Sequence, residues 1–562
     1  MEGAHPVNGG AGPLRGPRAA VLLVLLGAAL FGWRLGGHDL WPTDEPRFGL
    51  VAKEMRASGD PVVLSRNGRL YVEKPPLFIW AINAAATFTG GVDERSARLP
   101  SVVSGILAML LILHLGERLY DRRTGFAGAV VFATGVQILE RARWASTDMT
   151  LNLFVLAAIV MLLRAAGGGG RWWARLAWVA MGLATLAKGP VGLVLPLIAT
   201  APAVMLLSGW RAAARLVPPS GVALYLGVTL AWFGPFAARL GSDRAVAILT
   251  KETVDRYVDA WNVRHPAYFY LWNFPAGFFP WSIALPWAVA PALGREPADG
   301  MADGTADGAA GARRRERAAA IVLSLWVAAI LMFFSFSTGK RGVYIIPLYP
   351  AAALLVARLF TRAEGERGAA LARLRRACLA LAAIAVPAAA GVAILVPRRH
   401  PDLAVAATAA AILVAAGGVA AAWLARRGRA LLAAGALAAA MGGLLLVATE
   451  MVFPWANGYL NLRGFALGAR ALYRPEIPIA ATREKREAWV FYGGRTVEPV
   501  DTADEAIAWM RRAGPRDLLI DEDLHRQVRG ALPEDVVEVY AGRVSRQTCR
   551  LLRRPAPGGG AP

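Results

Sequence analysis

Cysteine is nearly absent from this chain. Cys378 and Cys549 are the only two among 562 residues, which excludes a disulfide framework. Cys378, inside an apolar run, and Cys549, near the C-terminus, read as structural residues. No small-residue cleavage site follows the apolar run 21–31, although Arg15 and Arg18 precede it, so an uncleaved first span is expected rather than a signal peptide. No internal repeat is visible, and the ionisable groups gather at one rim rather than at mid-span, which argues against a transporter. Acidic residues are scarce beside basic ones, 40 against 62, for a net charge of +22. Nucleic acid is excluded as the partner, because the arginines stand in short clusters between apolar runs, as positive-inside loops do.

What the chain has in abundance is apolar sequence, 56% of all residues. Exposing such runs to water is costly, so the chain belongs in a membrane. Runs approaching the roughly 20 apolar residues of a spanning helix begin near Ala19, Arg98, Thr124, Asp148, Ala174, Val191, Ser220, Ala276, Ala318, Tyr344, Cys378, Leu403 and Ala430. They predict about 13 spans. The apolar segment 77–89 is too short to cross and is expected to lie at the interface. Loops 117–123, 164–175, 211–215, 313–317, 362–376 and 426–429 are all rich in arginine, and alternate loops are poorer, Arg398 and Arg399 excepted. The consistent topology puts the N-terminus in the cytoplasm and the C-terminus outside.

The expected organisation is an α-helical polytopic membrane protein with a small C-terminal α/β domain. Residues 1–18 form a cytoplasmic segment and 19–470 a transmembrane domain with long outer loops at 36–76 and 237–275. Residues 471–554 form the α/β domain, and 555–562 a disordered tail. The stretch 297–312 reads as a flexible cytoplasmic linker. Within the C-terminal domain, strands are expected at 477–481, 488–492, 517–520 and 536–540, with helices at 504–512 and 523–531.

Charged groups held at the rim of apolar spans call for a function. The densest set lies in the first outer loop: Trp41-Pro-Thr-Asp44-Glu45-Pro-Arg47-Phe48, then Glu54, then Tyr71-Val-Glu73-Lys74-Pro75-Pro76. A helix starting at Thr43 would put Asp44 and Arg47 on one face. Thr43 or Asp44 fits equally well as a plain helix cap, with Pro46 in the first turn.

Taken in order, these motifs resemble the first outer loop of the aminoarabinose transferases that modify lipid A, relatives of the protein O-mannosyltransferases in the GT-C class. The resemblance continues through Arg143-Trp-Ala-Ser-Thr-Asp148, Thr185-Leu-Ala-Lys188-Gly-Pro, residues 252–256, His265-Pro-Ala-Tyr268-Phe-Tyr270, Phe279-Pro-Trp281, and Ser335 to Lys340 followed by Tyr344-Ile-Ile-Pro347. It runs from about residue 41 to residue 350. Pro46, Phe48 and Pro76 depart from the family pattern, and the second half aligns little, which leaves the acceptor open.

The resemblance implies an enzyme that moves a sugar from a polyprenyl phosphate, undecaprenyl phosphate in bacteria, to lipid A, another glycan or protein on the periplasmic face of the inner membrane. A flippase for a lipid-linked substrate is the alternative. Because the leaving group is a lipid phosphate, fixed cations aimed at its oxygens favour the transition state. Arg47, Lys74, Arg256 and Lys340 are the candidates, with Tyr344 beside them, and snorkelling to headgroups is the plain alternative for each cation. Asp44 is the expected general base for a hydroxyl acceptor, with Glu45 and Asp148 as runners-up; Asp148 fits equally as a cap of its span. A phosphate acceptor would need orientation instead of deprotonation. Tyr71 and Tyr268 are the expected substrate or lipid contacts. The aromatics Trp261, Tyr268, Tyr270, Trp272 and Trp281 read as an interfacial belt. The resemblance also implies a divalent metal, zinc or magnesium, shared by Glu73 and His265. The expected partners are the lipid-linked donor, the acceptor and membrane lipids, with no nucleic acid, and the chain is expected to act as a monomer.

Overall fold

The computed structural model describes residues 16–42, 44–250, 265–294, 306–365, 367–483 and 485–556. Among these residues nine helices are long and apolar enough to cross a membrane: Glu94–Leu119, Thr147–Gly169, Val191–Ser208, Trp210–Leu240, Gly311–Phe336, Gly342–Ala363, Ala369–Arg399, Pro401–Arg426 and Ala430–Leu460. The chain is a multi-span membrane protein.

Among the described residues, the other expected runs form shorter, broken or more charged helices. The run at Ala19 folds as Arg18–Gly32, only 15 residues, and the run at Thr124 as Arg122–Ala133, only 12. The run at Ala174 becomes the helix Arg171–Lys188, which carries Arg171, Arg175 and Lys188. The run at Ala276 is split into Phe269–Gly277, Trp281–Ala284 and Leu285–Ala288, with Pro275, Pro280 and Pro286 at or near the breaks. The segment 77–89 is helical, Leu77–Thr89. Of the expected linker 297–312, residues 306–312 instead open the helix Ala306–Phe336; the rest lies outside the described residues, as do 1–15 of the N-terminal segment and 557–562 of the tail.

The chain divides into two compact units. The first comprises residues 1–33, 72–78 and 98–448. Its innermost helix, Tyr349–Ala363, is apolar from Tyr349 to Ala357, and almost all its residues are buried; a stretch apolar all round belongs inside. Tyr344 sits in the tight turn Gly342–Leu348 that leads into it. Two helices of 18 residues each, Thr147–Arg164 and Arg171–Lys188, form an antiparallel hairpin. Gly168 (φ 92°) and Gly170 (φ 87°) make the reversal, in a backbone form that glycine adopts without a Cβ penalty. Equal lengths, about 27 Å each at 1.5 Å per residue, bring the start of the first helix beside the end of the second.

The second unit comprises residues 34–71, 79–97 and 449–562. Its N-terminal part holds the helix Asp44–Ser58 and a short hairpin of β1, Ser65–Arg66, and β2, Arg69–Leu70. Its C-terminal part is a five-stranded mixed sheet of β3 (Ile479–Ala481), β4 (Glu498–Pro499), β5 (Arg516–Ile520), β6 (Val537–Val544) and β7 (Gln547–Arg554), in the order β4-β3-β5-β7-β6. β3 runs parallel to β4 and β5, while β7 is antiparallel to β5 and β6. Trp509, Met510, Leu518, Ile520 and Leu552 form its core. A buried bidentate pair, Arg553 to Asp517 at 2.8 Å for both bonds, ties β7 to β5.

The expected strands at 477–481, 517–520 and 536–540 and both helices are present, the helices as Ala503–Arg511 and Glu522–Val528. The expected strand at 488–492 is instead the helix Arg486–Gly493, ended by the left-handed Gly494 (φ 73°). Both cysteines are free and buried, and burial pushes the Cys549 thiol up to about 11.

Candidate active site

In the second unit, Asp44 opens its helix and Arg47 follows one turn later. The Arg47 guanidinium meets Asp44 Oδ1 at 2.5 Å, with both side chains largely buried, and lies 5.0 Å from the centre of the Phe48 ring. Glu45 is fully buried, and its Oε2 accepts the Trp41 backbone N–H at 3.0 Å. Thr43, the alternative cap, lies outside the described residues. Glu54 accepts from the Ser65 hydroxyl and from the backbone N–H groups of Asn67 and Gly68, so it anchors the β1–β2 turn. Tyr71 is buried, with its backbone N–H on the Leu64 carbonyl at 2.8 Å.

In the first unit, Asp148 does not cap its helix; the cap residue is Ser146. The Asp148 carboxylate accepts from the Ser146 hydroxyl at 2.9 Å and forms an ion pair with Lys188. The Lys188 ammonium also lies 5.0 Å from the centre of the Tyr344 ring. One acid, one cation and one aromatic ring therefore meet where the helical hairpin returns. Lys340 is buried, and its ammonium donates to the backbone carbonyls of His265, at 3.0 Å, and Ser337. It fastens the His265 segment to the end of the helix Ala306–Phe336. Tyr270 makes a parallel fastening, its hydroxyl donating to the Arg341 carbonyl at 3.2 Å. The Lys74 ammonium donates to the Glu73 carbonyl at 3.0 Å. Tyr268 is exposed. Arg256, Trp261 and residues 252–255 lie outside the described residues.

Residues 73–237 match the family model for dolichyl-phosphate-mannose-protein mannosyltransferases. A relative from Pseudomonas aeruginosa (strain UCBPP-PA14), called undecaprenyl phosphate-alpha-4-amino-4-deoxy-L-arabinose arabinosyl transferase, is 31% identical over 62% of this chain and 62% of its own length. A relative of similar name from Sodalis glossinidius is 28% identical over 59% of this chain and 58% of its own. The chain thus spans less than two thirds of the length of these curated relatives. The crystal structure of ArnT from Cupriavidus metallidurans bound to undecaprenyl phosphate superposes with a TM-score of 0.78, at 22% identity, over 97% of this chain and 100% of that one. The fold is GT-C.

The sequence relatives match up to about 62% of the chain, and the likeness of fold extends over both the helical part and the C-terminal sheet. Within this GT-C fold, the residue that motif reading passed over is Lys188, noted only as part of a Lys-Gly turn. Its signal was in the chain: two apolar helices of equal length around Gly167-Gly-Gly-Gly170 place residues 148 and 188 together. Among the described residues no three of His, Cys, Asp and Glu stand close enough to hold a metal ion. The His265 ring stacks on Phe269, centres 4.3 Å apart. Glu73 and His265 alone offer two ligands, where a zinc site takes three or four from protein.

Proposed function

We propose that this GT-C protein is a glycosyltransferase that moves a sugar from undecaprenyl phosphate, or a similar polyprenyl phosphate, to lipid A, another glycan or protein. The site faces the periplasm of a bacterial inner membrane, with the N-terminus cytoplasmic and the C-terminus periplasmic. The observation that carries the reading is the two acid–cation couples, Asp44 with Arg47 in the second unit and Asp148 with Lys188 in the first, in a chain whose relatives are named for this transfer.

An acceptor oxygen attacks the anomeric carbon, the bond from that carbon to the phosphate oxygen breaks, and its electron pair leaves with the lipid phosphate. Arg47 is suited to grip phosphate as a planar fork, and Lys74 to act as a point charge. Arg256 is assigned the same task. Lys340 acts indirectly, by holding the His265 segment through its two carbonyl bonds. Asp44 takes the proton of a hydroxyl acceptor; an acceptor phosphate already carries its nucleophilic oxygen and needs only orientation. Asp148 fixes the Lys188 ammonium beside Tyr344, which keeps that cation pre-aimed at no reorganisation cost during the reaction. Tyr71 and Tyr268 are assigned to donor and lipid contact. No step is routed through a metal.

The test is release of polyprenyl phosphate from a labelled lipid-linked sugar by purified protein in lipid nanodiscs. Transfer breaks the sugar–phosphate bond and frees the lipid phosphate. A flippase moves the label across proteoliposomes with that bond intact, and this outcome would overturn the proposal.

A further inference from the structure

The residues before Asp44 have no regular structure, yet they are held tightly. Three successive backbone N–H groups each end on a side-chain oxygen from a different part of the second unit. Asp39 N–H donates to Asn457 Oδ1 at 2.9 Å. Leu40 N–H donates to the Tyr492 hydroxyl at 2.7 Å. Trp41 N–H donates to Glu45 Oε2 at 3.0 Å, and its indole N–H reaches Asn457 Oδ1 at 3.2 Å. Side-chain capture of three consecutive amides fixes a strap as firmly as a strand partner would, because each bond removes a buried donor's alternatives.

The two remote anchors are themselves pinned. The Tyr492 hydroxyl donates to Glu94 Oε1 at 3.0 Å, and Glu94 also meets Arg463 at 3.4 Å. Burial raises the Tyr492 pKa, so the hydroxyl keeps the proton it donates. Asn457 lies on the helix Phe453–Leu460, and Phe453 packs against His38 and Trp41 with ring centres 4.9 and 5.3 Å away. The helix that follows the strap is clamped from the same side. The Lys53 ammonium donates to the Phe491 carbonyl at 2.9 Å and lies 3.6 Å over the Phe491 ring. A Cβ at Gly49 would stand 2.9 Å from Phe491 Cε2 and Leu40 Cδ1, so a larger residue there would have to push these side chains aside.

We infer that Asn457 and Tyr492, contributed by the C-terminal part of the chain, are positioning residues for Asp44 and Arg47, acting through the strap Asp39–Trp41 and the buried Glu45. The inference rests on the proposed function, and it gives the part of the second unit after residue 449 a positioning duty: it sets where the first turn of the Asp44 helix begins. Glu45 in this arrangement is a tether and not a base. A misplacement of about 1 Å at a reacting group lowers rate by about 100-fold without a comparable loss of ground-state binding, so the effect belongs in kcat.

The test uses the full chain in nanodiscs with Tyr492→Phe, Asn457→Ala and, as a control in the same domain, Tyr459→Phe, which loses only an exposed hydrogen bond from Arg546. Two readouts are taken: hydrogen exchange of the peptide covering residues 38–48, and kcat and KM for the lipid-linked donor. The expected result is faster exchange at 38–48 and a kcat lowered about 10- to 100-fold in the first two variants. KM should stay within about 3-fold, the melting temperature should barely move, and the control should match the parent. Unchanged exchange at 38–48 overturns the inference whatever the activity. So does faster exchange with parental kcat. A parent protein that never releases polyprenyl phosphate overturns the proposed function instead, and the exchange data then still decide whether the two anchors hold the strap.

Discussion

Lys188 and Asp148 stand 40 residues apart in sequence and form an ion pair in the fold, because a glycine turn folds one helix back along another of the same length. The pair is largely buried, with 12% and 6% of the two side chains exposed. Removing one partner of such a pair strands a charge in an apolar setting, whereas removing both does not.

Lys188→Met and Asp148→Asn are each expected to lower the melting temperature of the purified protein, and the double variant to lower it less than the two losses combined. Thermal unfolding of the four proteins as a double-mutant cycle checks this, with a coupling of about 1–3 kcal/mol expected. Strictly additive losses would show that the two side chains do not act on one another.

Asp44→Asn and Lys74→Ala should each abolish sugar transfer, by about 100-fold or more, with yield and melting temperature close to the parent. Full activity in both would remove these residues from the chemistry.

A reporter domain fused after Arg470 should read as periplasmic, since the arginine-rich loops alternate with the spans in that sense. A cytoplasmic signal would invert the orientation and move the site to the wrong face.

Burial raises the pKa of Asp39, outweighing the hydrogen bonds from Asn457 and the Arg463 backbone, which lower it. The unfolded chain titrates this carboxyl near 3.9, so between that pH and its higher folded value the folded state binds more protons. Stability therefore falls as pH rises through this window. Asp39→Asn should remove that slope, read as melting temperature against pH from about 4 to 7; an identical slope in the variant would mean that Asp39 is not its source.

Much of the architecture was legible because membranes and sheets leave strong patterns. Long apolar runs bounded by arginine marked the spans, and β-rich runs marked β3, β5 and β6. The errors have local causes. Ala488-Trp-Val-Phe-Tyr492 is a short apolar run, and periodicity does not separate a buried strand from a buried helix at that length; the signal was Gly493-Gly494, a helix terminator, just beyond it. β7 went unread because its arginines, paired with Asp517, Glu522, Glu538 and Asp535, interrupt the apolar pattern of a strand. Within the candidate site, Asp44 and Arg47 are neighbours in sequence, so their pairing could be foreseen. The anchors Asn457 and Tyr492 lie more than 400 residues from the strap, and nothing local to them announces a role. Lys340 shows the converse: an ordered motif marked it as a phosphate ligand, yet its ammonium is engaged by backbone carbonyls.

The paired 18-residue helices also dictate where this chain tolerates length variation. Deleting one residue from either rod turns everything beyond it by about 100° and slides it by about 1.5 Å, which would swing Lys188 off Asp148. Extra residues in the glycine reversal at 165–170 leave both rods in phase. Natural or engineered insertions should therefore accumulate at that bend and be purged from the rods on either side.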